Sequence, residues 1–270
     1  MKRIAVALCL VLLVLVCINP AFARRKKKKN HHSGSAGAGV VTAHFKFQRR
    51  ERMYLYEIPP NAPADKPLPA IVVIHRQGAY AQGVMRYWKN FGRENGIIII
   101  SPEAQENTIW KTTTDGAAFL HSVVFEVNKV HPIDPQRVYL FGNQGGGTFA
   151  TIVGLYDSTF WAATATQDGV VLPNDYYLFK HAAYKEPFFF WYGRKDPRIA
   201  YSVVTNEAAA FKAAGFPFDL DIRPFDNGSY EADYSSVNAA AWAFFQKHTL
   251  PASIIEAREQ ANSAAAAKSK

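Results

Sequence analysis

Between residues 137 and 155 a β-prone run, a glycine-crowded turn and a helical stretch follow one another without a spacer. Arg137-Val138-Tyr139-Leu140-Phe141 reads as a strand, Gly142 to Gly147 as a sharp turn, and Thr148 to Leu155 as helix. A strand that feeds a helix directly belongs to a crossover unit, and such units build sheets of parallel strands. The rest of the chain repeats the arrangement. Ala70-Ile71-Val72-Val73-Ile74 and Ile97-Ile98-Ile99-Ile100 are unbroken apolar runs, the mark of strands buried on both faces. Trp161 to Thr166, Pro187 to Tyr192 and Phe218 to Pro224 read as further strands, and His44 to Ile58 alternates as a strand pair. Helical spacing runs through 83–94, 115–130, 201–214 and 234–248. The expected fold class is α/β, a mostly parallel sheet flanked by helices on both faces.

In such a sheet the ligand site lies beyond the carboxyl ends of the strands. That rule selects loops 75–80, 103–115, 142–147, 167–176, 193–199 and 226–234. One domain with a full core is expected at 41–250, followed by an Ala-rich tail at 251–270 to which the sequence assigns no role.

Charge separates the folded body from the amino-terminal stretch. Lys2, Arg3 and the six cations Arg24, Arg25, Lys26, Lys27, Lys28 and Lys29 account for eight of the net +9, leaving +1 for everything after them. A nucleic-acid-binding domain spreads Lys and Arg over a face or groove, so no nucleic-acid partner is expected. Lys2 and Arg3, the apolar run Ile4 to Ile18, Pro20 and Ala21-Phe22-Ala23 have the layout of a signal peptide spanning 1–23. Cleavage would place the protein in a secreted, periplasmic or envelope location. The alternative is an uncleaved membrane anchor; about 15 to 19 apolar residues are marginal for spanning a bilayer. Both cysteines, Cys9 and Cys17, lie in this segment, so its removal leaves neither disulfide nor thiol nucleophile. Residues 24–40 read as a basic flexible linker. Its cations suit an anionic membrane or cell-wall surface, at about 1 kcal/mol per charge near lipid, or serve as a solvated tether.

Two rival motifs fall away. Gly142 to Gly147 has P-loop glycine spacing, but Thr148 stands where the phosphate-binding lysine is required. His31-His32 has no companion ligands at metal spacing. No cofactor and no metal are expected.

Further stretches carry a resemblance. They are Arg52-Met53-Tyr54-Leu55-Tyr56-Glu57-Ile58-Pro59, Pro67-Leu68-Pro69-Ala70-Ile71-Val72-Val73-Ile74-His75, Trp110, Asp115-Gly116-Ala117-Ala118-Phe119-Leu120 and Ile133-Asp134-Pro135-Gln136-Arg137-Val138-Tyr139. With Tyr192-Gly193-Arg194-Lys195-Asp196-Pro197 after them, the order from about 50 to 248 resembles the secreted α/β-hydrolases grouped with polyhydroxybutyrate depolymerases and feruloyl or acetylxylan esterases. The resemblance implies a Ser, Asp and His triad in that chain order, with the Ser on a Gly-x-Ser-x-Gly turn. Here the turn reads Gly142-Asn143-Gln144-Gly145-Gly146, so the nucleophile position carries Gln144. The acid position carries Asp196, and the histidine position, in the loop after the last strand, matches Tyr230. No histidine stands between His181 and His248, and His248 lies at the far end of the last helix. A carboxamide has no hydroxyl or thiol to activate, and a phenol of ordinary pKa is a weak base at neutral pH. The oxyanion turn is altered too, reading His75-Arg76-Gln77-Gly78, although the Gly145 amide still opens a helix and suits an anion or carbonyl.

Each residue also has a structural reading. Asp196 before Pro197 can cap a turn and pair with Arg194 or Arg198; His75 and Trp110 can be packed; Asp168-Gly169 can simply turn the chain. Three functions remain in play. The first is an exported, catalytically inactive α/β-hydrolase-fold protein whose cleft, lined by Arg76, Gln77, Gln144, Gly145, Asp168, Arg194, Asp196 and Tyr230, takes an ester, carbohydrate-linked or anionic small ligand or a partner. The second is a working carboxylesterase or depolymerase using non-standard residues, with Ser229 as the hydroxyl. The third is an envelope-attached structural protein held by the basic run.

Overall fold

All seven residues of Leu68–Ile74 and all five of Ile98–Pro102 are buried, as unbroken apolar runs require when helices cover both faces of a sheet. The structure is a computed structural model that describes residues 39–106, 109–224 and 229–268. The proposed signal segment 1–23, the cations at 24–29, His31 and His32, loop residues 226–228 and the side chain of Tyr230 lie outside what is described.

The two buried runs are β3 and β4 of an eight-stranded sheet. Its other strands are β1 (Val41–Phe47), β2 (Arg50–Glu57), β5 (Ile133–Asn143), β6 (Ala163–Gln167), β7 (Phe188–Gly193) and β8 (Phe218–Arg223). They lie in the order β1-β2-β4-β3-β5-β6-β7-β8. From β4 to β8 all neighbours are parallel, while β1 and β2 form an antiparallel hairpin that joins along β4. The α/β architecture expected from the sequence is therefore present.

Helices cover both faces. On one, α1 (Ala81–Asn95), α6 (Tyr230–Phe245) and α7 (Ala252–Lys268) pack on Ile71, Val73, Ile99, Tyr139 and Phe141. Trp88 of α1 meets Phe141 edge-on at 4.9 Å, and Phe245 of α6 stacks on Tyr139 at 4.6 Å. On the other face, α3 (Ala117–Asn128) and α4 (Gly145–Tyr156) pack on Val72, Ile98 and Leu140 through Phe119, Val123, Phe149 and Val153. Farther along, α5 (Tyr201–Ala213) places Phe211 among Phe188, Phe190 and Phe218. Each such side chain contributes about 1.5–3 kcal/mol by leaving water, and these layers hold the strand ends in place.

Two segments differ from the sequence reading, and the tail, for which helix was one reading, takes a definite form. The helix expected over 115–130 is broken into a single turn, α2 (Thr112–Asp115), and α3. The break falls at Gly116, where a Cβ would lie 2.2 Å from the Thr112 carbonyl oxygen. The residues between β6 and β7 include a 3-10 segment, Pro173–Lys180, whose short apolar pattern gave no helical period. The tail forms α7, anchored by buried Ile255 and by Arg258, which donates to the Thr159 carbonyl at 2.8 Å and lies over Phe160.

Candidate functional site

β5 passes into α4 through one residue, Gln144, with φ 52° and ψ −124°. Non-glycine residues rarely adopt this conformation, and holding it costs about 1–3 kcal/mol. Hydrogen bonds on both sides impose it: the Gln144 amide donates to the Gln167 carbonyl at 2.7 Å, and its carbonyl accepts from Thr148 at 3.0 Å. The glycines around it allow α4 to run tight against the end of β3. A Cβ on Gly146 would lie 2.3 Å from the His75 carbonyl oxygen, and one on Gly142 would lie 2.3 Å from that of Gly146. Close backbone approach, not flexibility, is why glycine occupies these positions.

The loop after β3 folds over the same point. A Cβ built on Gly145 would stand 3.1 Å from the Gln77 Cβ and 3.6 Å from the Gln77 backbone nitrogen. Two amides, those of Gly145 and Gln77, thus flank the turn, and the first belongs to a helix N-terminus whose leading N–H groups have no intrahelical acceptor. His75 does not face them. Its Nδ1 donates to the Arg76 carbonyl at 2.9 Å, its Nε2 receives the Ala104 amide at 3.4 Å, and its ring lies 4.7 Å from Trp110. It is a packed strand-end histidine.

Beside Gly145 opens a cavity of about 520 Å³. Its floor is aromatic: Trp110 and Phe149 stack at 5.0 Å, with Ile109 and Ile152 extending the apolar wall. Polar groups come from Gln77, Lys111, Thr112, Thr113 and Thr148. Trp110 is fixed by its indole N–H, which donates to the His75 carbonyl at 2.9 Å. Lys111 is exposed and pairs with Glu106 at 2.7 Å.

The positions named from the sequence divide accordingly. Gln77 and Gly145 line this cavity; Arg76, Asp168 and Arg194 are absent from its lining. Asp168 is buried at φ 49°, with Oδ1 accepting the Gly193 amide at 2.9 Å and Oδ2 accepting from the Gln167 carboxamide. It belongs to the turn that closes β6, where the end of β7 takes up its carboxylate. Arg194 lies over the Tyr201 ring, 4.7 Å from its centre. Asp196 comes after β7, and its buried carboxylate takes the Arg198 amide and Nε at 2.8 Å and Nη2 at 2.5 Å. His248 packs on Phe244 at 4.5 Å, at the far end of α6, and burial lowers its pKa. Ser229 precedes α6 as its N-cap residue. Trp110 and loop 103–115 were named in the sequence; Ile109, Lys111, Thr112, Thr113, Thr148 and Ile152 were not named as site residues, and their signal was position alone, after the carboxyl ends of β4 and β5.

Sheet order, the strained turn after β5 and the cavity beside it invite comparison with solved proteins. An S-formylglutathione hydrolase from Staphylococcus aureus superposes with a TM-score of 0.62 at 15% identity, over 76% of this chain and 97% of that one. A thermophilic esterase from Thermogutta terrifontis gives 0.62 at 15% identity, over 77% and 94%. The chain has the α/β-hydrolase fold. A ferulic acid esterase gives 0.57 at 15% identity, over 75% and 96%. No known family description matches the sequence, and no curated protein does. Within the α/β-hydrolase fold, the turn at which the resemblance places the nucleophile is occupied by Gln144, and its following amide remains in place.

Proposed function

We propose that this chain is an exported, non-catalytic α/β-hydrolase-fold protein whose cavity beside Gly145 binds a small carbonyl-bearing or anionic ligand. The observation that carries the reading is Gln144 held at φ 52° on the turn between β5 and α4. The geometry that lifts a nucleophile is kept while the side chain on it has no nucleophilic atom. Of the two remaining triad roles, only the acid position is filled, and Asp196 is engaged by Arg198. Loss of nucleophile and base leaves at most about 10³–10⁴-fold over water, from binding and amide donors alone. Export is supported by the apolar run Ile4 to Ile18 with Ala21-Phe22-Ala23 behind it.

The test is hydrolysis of p-nitrophenyl acetate and a feruloyl ester by the purified protein. Turnover at background level is expected; turnover abolished by Ser229→Ala would replace this reading with a working esterase. The double change Gln144→Ser with Tyr230→His asks whether the frame is otherwise intact, and restored ester cleavage is the expected result. Salt-sensitive attachment to envelopes that disappears when residues 24–29 are removed would favour the surface-held alternative.

A further inference from the structure

The chain between β6 and β7, residues 170–186, touches the cavity wall at its first residue. The Thr148 hydroxyl donates to the Val170 carbonyl at 2.9 Å and receives the Val170 amide at 3.2 Å, and Thr148 lines the cavity. Both ends of this segment are held at buried carboxyl groups. At the start, the Val171 amide donates to Glu207 Oε1 of α5 at 2.7 Å. Glu207 is completely buried, and its Oε2 reaches no hydrogen-bond partner. At the other end is Glu186 itself, also completely buried. Its carboxyl lies beside the Thr164 hydroxyl of β6, in a space that Gly154 of α4 leaves open. A Cβ on Gly154 would come within 2.6 Å of Glu186 Oε1 and 2.7 Å of Thr164 Oγ1.

Among the described residues neither carboxyl is paired with a cation. Glu207 faces the Val171 amide and Tyr176. Glu186 faces Thr164, Asp157 at the end of α4, and Tyr184 on its own segment. Arg258, the arginine drawn to that region, faces Asp157 instead, whose carboxylate also lies 2.5 Å from His121 Nε2. A carboxylate without water or a counter-charge is strongly disfavoured, so such groups stay neutral by keeping the proton.

We propose that residues 170–186 form a strap along α4 and α5, joined to the cavity wall at Val170, held closed by one proton on Glu186 and one on Glu207 and released when alkali removes them. Burial raises the Glu207 pKa to about 9, and it raises that of Glu186 well above the ordinary carboxyl value, Asp157 adding like-charge repulsion. Ionised Glu207 keeps its bond to Val171, but its second oxygen then needs water, and water reaches it when the strap lifts from α5. The consequence for function rests on the cavity being a ligand site; the lock itself does not.

The experiment is amide hydrogen exchange on the purified protein from pH 6 to 10, each rate corrected for intrinsic chemical exchange. Protection across 170–186 is expected to fall at least about tenfold between pH 7 and 9.5 while β3 and β5 keep theirs, most of the fall coming below the Glu207 pKa of about 9, where only the open state ionises. The double variant Glu186→Gln with Glu207→Gln, which keeps size and neutrality, is expected to show no such fall. Equal protection at both pH values in the wild type would overturn the proposal, as would a parallel fall in the double variant. Should that variant not fold, the wild type decides alone: loss shared equally by the strap and the core strands is general unfolding and sinks the lock. A strap that opens in a protein that binds no acyl ligand removes the ligand reading and leaves the lock standing.

Discussion

The guanidinium of Arg52 meets the carboxylate of Asp115 at 2.6 Å, with Arg52 4% exposed and Asp115 not exposed at all. Asp115 also accepts the amides of Gln105 and Lys111, each at 2.9 Å, while Arg52 donates to the carbonyls of Thr114 and Glu103 and lies over Phe119. A residue of β2 thereby cinches the loop that supplies Trp110 and Lys111 to the cavity. Breaking one partner of such a pair leaves the other charge buried alone.

Asp115→Ala is therefore expected to cost about 3–5 kcal/mol, read as a lowered urea midpoint, and to loosen the wall that carries Trp110. Indole fluorescence on titration with urea reports both. A loss below about 1 kcal/mol would mean that the backbone bonds, and not the ion pair, hold this loop.

Two glycine-to-alanine changes should move in opposite directions. Gly146→Ala puts a methyl group 2.3 Å from the His75 carbonyl oxygen, and overpacking against backbone costs about 3 kcal/mol or more. Gly83→Ala lies in α1 with nothing within 4 Å of the new atom, so it should stabilise by about 0.5–1 kcal/mol. Thermal midpoints of the two variants separate the steric account from a general sensitivity to glycine replacement.

Gln144→Gly removes a side chain from a backbone conformation at φ 52° that glycine adopts freely. A gain of about 1 kcal/mol is expected, less a few tenths for the wider unfolded ensemble. Urea midpoints of the two proteins decide it; no gain would mean that contacts of the carboxamide offset the strain.

Stability should decline as pH rises. Glu207 is held to about 9 from an ordinary 4.5 by burial, and Glu186 moves the same way. The folded-state pKa exceeds the unfolded one, so the contribution is complete below about pH 4.5 and shrinks until the folded group ionises. Within that window Glu207 contributes a slope of roughly 1 kcal/mol per pH unit, and Glu186 acts in the same direction. Urea midpoints should fall between pH 5 and 8, and Glu207→Gln should make that fall shallower. A midpoint that rises over the same range would contradict the account.

Much of the fold is legible in the chain itself because buried parallel strands announce themselves: Ala70 to Ile74 and Ile97 to Ile100 have no polar member to place elsewhere. Gln144 was legible for a similar reason, since the glycines around it fix one turn geometry. The cavity was less legible. Thr112, Thr113 and Ile152 carry no chemical signature; the first two stand beside the Arg52–Asp115 pair, formed across 63 residues of chain, and the third is placed by α4. Asp168 and Arg194 failed to reach the cavity because strand ends and a neighbouring ring satisfied them first. Nothing in the sequence sets Glu186 and Glu207 apart from surface acids. Only burial distinguishes them.

Arg258 grips the Thr159 carbonyl just ahead of β6, on the amino side of the sheet, whereas the cavity opens at the carboxyl side. A reporter or an immobilising handle attached beside Arg258 would consequently sit across the sheet from the cavity mouth. A protein tethered to a sensor chip at that point would leave the mouth unshaded.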